Sequence, residues 1–187
     1  VIYDTAQGMD TLVSELSMLS KLSLDKVPFY FEKIKAKDFF EEYTAYAADT
    51  LGEAGIEFIY NFECDEDREI NIDPAQFRRV LNNLIDNSRK YGAEDGTAKI
   101  MLSVRNGENG HTEISIEDNG QGVPADERDK IFETFYRGDK ARTGHKNGSG
   151  LGLAITKQIT DRHGASIRAD ESELGGLKVI IDLPQAQ

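Results

Sequence analysis

Residues 74–91 constrain this chain more than any other segment. Asp73 offers a side-chain acceptor for free helix N–H groups, and Pro74 fits a first turn, so a helix starts here and Gly92 stops it. At about 100° per residue, with Asn83 at zero, Phe77, Val80, Leu81, Leu84 and Ile85 fan over roughly 60–200° as a core face. Asn87 falls near roughly 40°, Lys90 near −20° and Arg79 near −40° on the same wheel. Asn is a mediocre helix former, so two on one side need a reason. Either this is a solvated face, or it is the wall of a ligand site. In the second reading an amide oxygen suits a hard Mg²⁺ that keeps waters and is shared with phosphates. A lysine one turn further on would then meet phosphate charge.

Two glycine-rich segments follow. Asp118-Asn119-Gly120-Gln121-Gly122-Val123-Pro124 comes directly after a strand pattern. It is either a plain turn, or a carboxylate at a strand end that accepts a hydrogen from a ring amine while glycines let backbone approach closely. Gly148-Ser149-Gly150-Leu151-Gly152-Leu153 opens a helix, and a glycine-rich helix start exposes N–H groups to an anion. It is not the dinucleotide fingerprint, since no strand leads into it, nor a P-loop, since no Lys-Ser/Thr follows. Arg137, Lys140, Arg142 and Lys146 against Asp139 make the preceding loop net +3. Such a loop is solvated, or it is a basic lid over a nucleotide.

The rest of the chain supplies a scaffold. Ile2, Met9 and Leu16, with Leu12 and Leu19 between, set a heptad seam on a helix over 1–22, to be buried either on its own domain or in a helical bundle. Residues 23–37 read as a half-buried extended linker interrupted by Pro28. A helix is expected over 38–54, strands over 56–62 and 69–72, and two further strands over 97–105 and 112–118. A short helix around 126–135, a helix over 149–163 and strands over 165–170 and 176–183 complete the pattern. Strands joined by short turns imply an α+β sandwich, a largely antiparallel sheet with helices on one face.

Composition excludes several roles. With 22 Lys+Arg against 34 Asp+Glu, the formal net charge of −12 argues against general nucleic-acid binding and against a polybasic membrane anchor. Cys64 is the sole cysteine, so no intrachain disulfide forms, and a reducing, cytoplasmic setting fits best. The chain begins at Val1 without a methionine, part-way along a helix pattern. It is therefore expected to be a piece of a longer protein.

In this order and spacing the segments resemble the ATP-binding catalytic domain of sensor histidine kinases, over about residues 38–184. The wider superfamily also holds gyrase, the Hsp90 chaperones and MutL. Asn83 to Tyr91 resembles the N box, Asp118 to Gly122 the G1 box, Ile131 to Arg137 the F box and Gly148 to Leu153 the G2 box. Gly175-Gly176 resembles the weaker G3 element. The resemblance implies a two-layer Bergerat-type sandwich of a mixed, mostly antiparallel sheet and about three helices. The implied division is a partial dimerisation and phosphotransfer helix (1–24), a linker (25–37) and a catalytic domain (38–187).

It also implies roles. Asp118 would accept the adenine amino group, beside Gly120, Gly122 and Val123. Asn87 would ligate Mg²⁺, with Asn83 supporting it directly or through water. Lys90, Tyr91 and Arg137 would approach the phosphates of ATP, and the backbone of Gly148, Ser149, Gly150, Leu151, Gly152 and Leu153 would hold them. Asn83, Asn87, Lys90 and Arg137 are thus the expected catalytic set, while Phe132, Phe135 and Tyr136 would anchor the lid. Where the ATPase branches carry a glutamate as general base, this chain has Asn83, which takes no proton at neutral pH. Phosphoryl transfer to an external acceptor is then favoured over activation of water.

None of His111, His145 and His163 sits in the acid-then-Thr/Asn-Pro helix context of a phosphoacceptor histidine. The acceptor is therefore expected on a helix of the same or a sister subunit, outside this chain. A response regulator as partner, a homodimeric parent attached to a membrane, and a cytoplasmic position for this part complete the expectation. No membrane or nucleic-acid contact is expected of the chain itself. The alternatives are a nucleotide-sensing module without catalysis, or a serine kinase or anti-sigma-type regulator.

Overall fold

The computed structural model describes residues 2–93, 96–137 and 149–186, with side chains from residue 9 onward. Its elements are α1 (Ile2–Ser23), β1 (Glu32–Lys35), α2 (Ala36–Glu53), β2 (Glu57–Glu63), β3 (Glu69–Ile72), α3 (Pro74–Tyr91), β4 (Lys99–Asn106), β5 (Thr112–Asp118), α4 (Gly152–Arg162), β6 (Ser166–Glu171) and β7 (Leu177–Leu183). The main sheet has the order β2-β4-β5-β7-β6. β2 and β4 run parallel and the other neighbours antiparallel. The sheet is mixed and mostly antiparallel, as expected.

Period-two alternation sends Ile100, Leu102 and Val104 of β4 and Ile114 and Ile116 of β5 into the core, all at most 2% exposed. The helix layer covers that face. Phe77, Val80, Leu81 and Leu84 of α3 are at most 2% exposed, and burying each such side chain is worth about 1.5–3 kcal/mol. That outweighs the ~0.7 kcal/mol propensity cost of an asparagine in a helix. The core face thus holds α3 helical and leaves its other side free to carry amides. Asp73 caps α3, its Oδ1 accepting from the Gln76 N–H at 2.9 Å.

Three elements depart from the sequence reading. The linker contains β1, which pairs antiparallel with β3 in a separate two-stranded sheet; β3 does not join the main sheet. The expected helix around 126–135 is instead two short 3₁₀ turns, Ala125–Glu127 and Lys130–Phe132. Pro124 precedes the first turn, and the extended backbone of Glu133 ends the second, so no helix continues to 135. Helix α4 begins at Gly152, after a left-handed Gly150.

The heptad seam divides. Leu19 and Leu22 are buried, and Met18 packs against the same core. Met9, Leu12 and Leu16 stand 40–64% exposed. The C-terminal end of α1 is tied to α4 by a hydrogen-bonded Ser23–Gln158 pair, and beyond it Arg162 bonds Asp25 at 2.6 Å and stacks on Phe29. His163 closes this joint. Its Nδ1 lies 2.8 Å from the Ile159 carbonyl, so it carries the proton, and Nε2 accepts from the Asp73 N–H at 3.0 Å. Phe29, Phe31 and Phe77 pack edge-on around the ring. Burial holds its pKa below the usual histidine value.

Candidate functional site

The motif residues converge where the C-terminal half of α3, the end of β5 and the start of α4 meet. One end of the site is built on Asp118. It is the last residue of β5, in register with Ile100 of β4, so alternation turns it to the helix-facing side of the sheet. Its residue surface is 2% exposed. Oδ1 accepts two backbone N–H bonds, from Gly120 at 2.9 Å and Leu177 at 3.1 Å. The carbonyl of Asp118 takes a third from Gly176 at 3.1 Å. Among the described residues Oδ2 receives no hydrogen bond. A carboxylate so fixed presents one oriented acceptor.

Glycine is required on both sides of this carboxylate by close approach. A Cβ on Gly120 would collide with the Tyr91 carbonyl, and one on Gly176 with the Asp118 carboxylate. Gln121 reaches the same Tyr91 carbonyl through its N–H at 3.4 Å. Gly122 takes φ 65° and Val123 packs on the core. Asn119 braces the platform: Oδ1 accepts from the Lys99 N–H at 2.8 Å, and Nδ2 donates to the Thr97 carbonyl at 2.7 Å. Asn119 was not singled out from sequence, because a D-N-G turn carries no sign of which backbone its amide will meet.

The other end is more open. Asn87 is half-buried, and its amide makes no hydrogen bond to the described residues. Lys90, one turn on, has its Nζ 5.7 Å from the centre of the Tyr91 ring. Burial and the positive charge of Arg137 push the Lys90 pKa below the ordinary lysine value, against opposing pulls from Glu15 and Asp86. Lys90 is thus partly desolvated and feels the charge of Arg137 as well as the carboxylates of Glu15 and Asp86.

Helix α4 points its N-terminus at the same region, where first-turn N–H groups lack helical acceptors. Leu151 is fully buried, and its N–H donates to Ser149 Oγ at 3.1 Å. A Cβ on Gly152 would meet nothing within 4 Å, so packing does not demand glycine there; close approach of a ligand would. Leu153 packs partly against the core.

Asn83 joins the helices. Its Nδ2 donates to the Gly152 carbonyl at 3.2 Å and to Thr156 Oγ1 at 3.3 Å, while Thr156 Oγ1 donates to the Gly152 carbonyl at 2.9 Å. The amide nitrogen is thereby committed to α4. Thr156 was missed in the sequence reading, although its place four residues after Gly152 is the position from which a hydroxyl bonds back along a helix.

The lid anchors separate. Phe132 is buried at 8% exposure, whereas Phe135 is 56% exposed and has φ 63°. Phe135 does not pack as an anchor: the chain turns at this point, and its N–H bonds the Gly150 carbonyl at 3.0 Å. Its backbone, not its ring, links the two motifs. Tyr136 and Arg137 are half-buried beside it. Gly148, Lys140, Arg142, His145 and Lys146 lie outside the described residues.

The chain is similar to known proteins in sequence and in fold. The model of the histidine kinase-, DNA gyrase B-, and HSP90-like ATPases matches residues 72–187. Sensor histidine kinase WalK of Bacillus subtilis (strain 168) is 36% identical over 184 residues, 98% of this chain and 30% of that protein. Sensor histidine kinase CpxA of Escherichia coli (strain K12) is 31% identical over 179 residues, 96% of this chain and 38% of that protein. The chain thus spans about a third of these relatives' length. The crystal structure of full-length ShkA in complex with AMPPNP superposes with a TM-score of 0.80 at 22% identity, over 98% of this chain and 37% of that one, which shows the same fold. The chain belongs to the histidine kinase-, DNA gyrase B-, and HSP90-like ATPase family, and carries the ATPase domain of its sensor histidine kinase branch.

Proposed function

We propose that residues 38–187 bind Mg·ATP and transfer its γ-phosphoryl group to a histidine on a helix outside this chain, for relay to an aspartate of a response regulator. The observation that carries this reading is Asn83. The position holds an amide instead of the carboxylate of the water-activating branches, and its nitrogen is committed to Gly152 and Thr156. No proton acceptor stands there to activate water, so catalysis falls to positioning and charge.

In this reading Asp118 Oδ2 accepts from the adenine amino group, with Gly120, Gly122 and Val123 bordering the base. The amide oxygen of Asn87 faces the metal, and Asn83 Oδ1 is within the same stripe. Among the described residues no group of three or more His, Cys, Asp or Glu side chains is placed to hold a metal ion. A neutral amide sharing Mg²⁺ with phosphate oxygens and water fits that donor set. When bound, Mg²⁺ offsets charge on the phosphate oxygens. Lys90 and Arg137 add to that offset, Tyr91 borders it, and the backbone of Gly148 to Leu153, leading into α4, would hold the phosphates. The nucleotide analogue bound to ShkA supports the assignment by fold alone.

Residues 1–24 are then part of a dimerisation and phosphotransfer bundle, with the exposed Met9, Leu12 and Leu16 facing partner helices. Residues 25–37 are a linker. The parent is read as a membrane-attached homodimer with this part in the cytoplasm. Among the described residues no helix is long and apolar enough to cross a membrane.

The test is transfer. With γ-labelled ATP and Mg²⁺, the chain is expected to place acid-labile phosphate on a supplied acceptor-helix protein and none on itself. Acid-stable phosphate on a partner would favour a serine kinase. Binding of ATP with no transfer to any cognate acceptor would favour a sensing module.

A further inference from the structure

Glu117 precedes Asp118, so alternation along β5 sends it to the opposite face of the sheet. It is nonetheless buried, with a side chain 3% exposed. Directly across the β5–β7 pair stands Lys178, whose side chain is 16% exposed and whose Nζ lies 2.8 Å from Glu117 Oε1. Ser172 Oγ donates to Glu117 Oε2 at 3.1 Å. Both carboxylate oxygens are thus engaged. A buried ion pair of this kind is a weak source of stability, since desolvation offsets most of the attraction. Its placement gives it another use.

Ser172 organises the β6–β7 turn. Its hydroxyl accepts from the Leu174 N–H at 3.0 Å, its carbonyl accepts from Gly175 at 2.9 Å and its own N–H reaches the Gly176 carbonyl at 3.0 Å. The next two residues of that turn are the donors that hold Asp118: Gly176 N–H to its carbonyl and Leu177 N–H to its Oδ1. A continuous chain of contacts runs from the reverse face, through the hairpin, to the carboxylate on the site face.

We propose that Glu117, held by Lys178 and Ser172, is a positioning residue for base recognition: it locks the β6–β7 hairpin whose N–H groups aim Asp118. The proposal rests on the reading of Asp118 as the acceptor for the adenine amino group. Guanine carries a carbonyl oxygen where adenine carries that amine, so an aimed carboxylate favours ATP over GTP, and a loosened one favours it less.

The experiment measures affinities of the chain for Mg·ATP, Mg·GTP and inorganic tripolyphosphate by calorimetry, beside the thermal midpoint. Asp118→Asn is expected to collapse the ATP:GTP ratio; if the ratio does not move, the base-reading assignment itself fails. Given that collapse, Glu117→Ala and Ser172→Ala are each expected to lower the ratio about tenfold, the equivalent of one lost hydrogen bond. Tripolyphosphate affinity should stay within about twofold, a change of well under one hydrogen bond. Glu117→Gln keeps polar partners for both Lys178 and Ser172 and is expected to recover most of the ratio. Ser172→Ala removes a single hydroxyl, so it carries the test if Glu117→Ala does not fold. A lowered midpoint with an unchanged ATP:GTP ratio in Ser172→Ala overturns the proposal, because a merely structural tie would do that.

Discussion

The two ends of the site are built on opposite terms. At the end formed by Asp118, Asn119 and Gly176, polar groups are met by the protein's own backbone, at 2.7–3.1 Å. At the end formed by Asn87, Lys90 and the start of α4, an amide makes no hydrogen bond to the described residues, a partly buried lysine has its pKa lowered by burial and by Arg137, and a glycine has space where a side chain could stand. The first end is finished by folding. The second is finished by what binds. This asymmetry suits a nucleotide, whose base is read by one directional bond and whose phosphates are met by many weaker, charge-driven ones.

The contrast predicts which substitutions cost stability and which cost only binding. Asp118→Ala should do both. It leaves two backbone N–H groups buried near the sheet end without an acceptor, at about 1–3 kcal/mol each, and a chemical melt should show that loss beside the loss of ATP binding. Full stability in this variant would break the claim that the base end is finished by folding.

Asn87→Ala should cost binding alone. Mg²⁺-dependent ATP affinity should fall on the order of a hundredfold, or about 2.7 kcal/mol. The midpoint should hold or rise, since alanine is the better helix former by up to ~0.7 kcal/mol. Unchanged affinity with and without Mg²⁺ would remove Asn87 from the metal.

Gly152→Ala sharpens the same contrast. The residue does not have a left-handed φ and a Cβ there meets nothing, so the substitution should stabilise the chain by about 0.4–1 kcal/mol. ATP affinity should drop about tenfold as the methyl blocks phosphate approach, a cost of ~1.4 kcal/mol. A destabilised chain would show that packing, and not a ligand, demands glycine.

The smallest effect concerns His163, at the C-terminal end of α4. Its folded pKa lies below the usual value through burial, so the unfolded chain binds the proton first as pH falls. Stability is then fully present above about pH 6.5 and declines below it, by at most ~1.4 kcal/mol per pH unit, until the folded pKa is reached. Urea melts at pH 7 and pH 5.5 should show this slope, and His163→Asn should remove it.

Much of the site was legible because its chemistry is local in sequence. Asn83, Asn87 and Lys90 share a helix side by arithmetic, and Asp118 ends a strand whose alternation is plain. The joint between Asn83 and Thr156 was not legible, because it spans 73 residues and depends on how α3 packs on α4. The exposure of Phe135 was misread for a related reason. Phe132 and Phe135 would share a helix face only if the helix expected around 126–135 formed, and here the chain turns instead.

The linear pattern by itself determined most of the helices and strands, though not β1 or the 3₁₀ turns after Pro124, together with the apolar face of α3, the polar stripe beside it and the family. These follow from spacing and side-chain type, which act within a few residues. Only the tertiary structure decided that Asp118 is held by a hairpin nearly sixty residues away, that Glu117 is buried behind it, and that along the seam of α1 Leu19 is covered while Met9, Leu12 and Leu16 stand exposed. Such matters depend on which backbone donors and apolar faces meet across the fold, and no local spacing encodes that meeting.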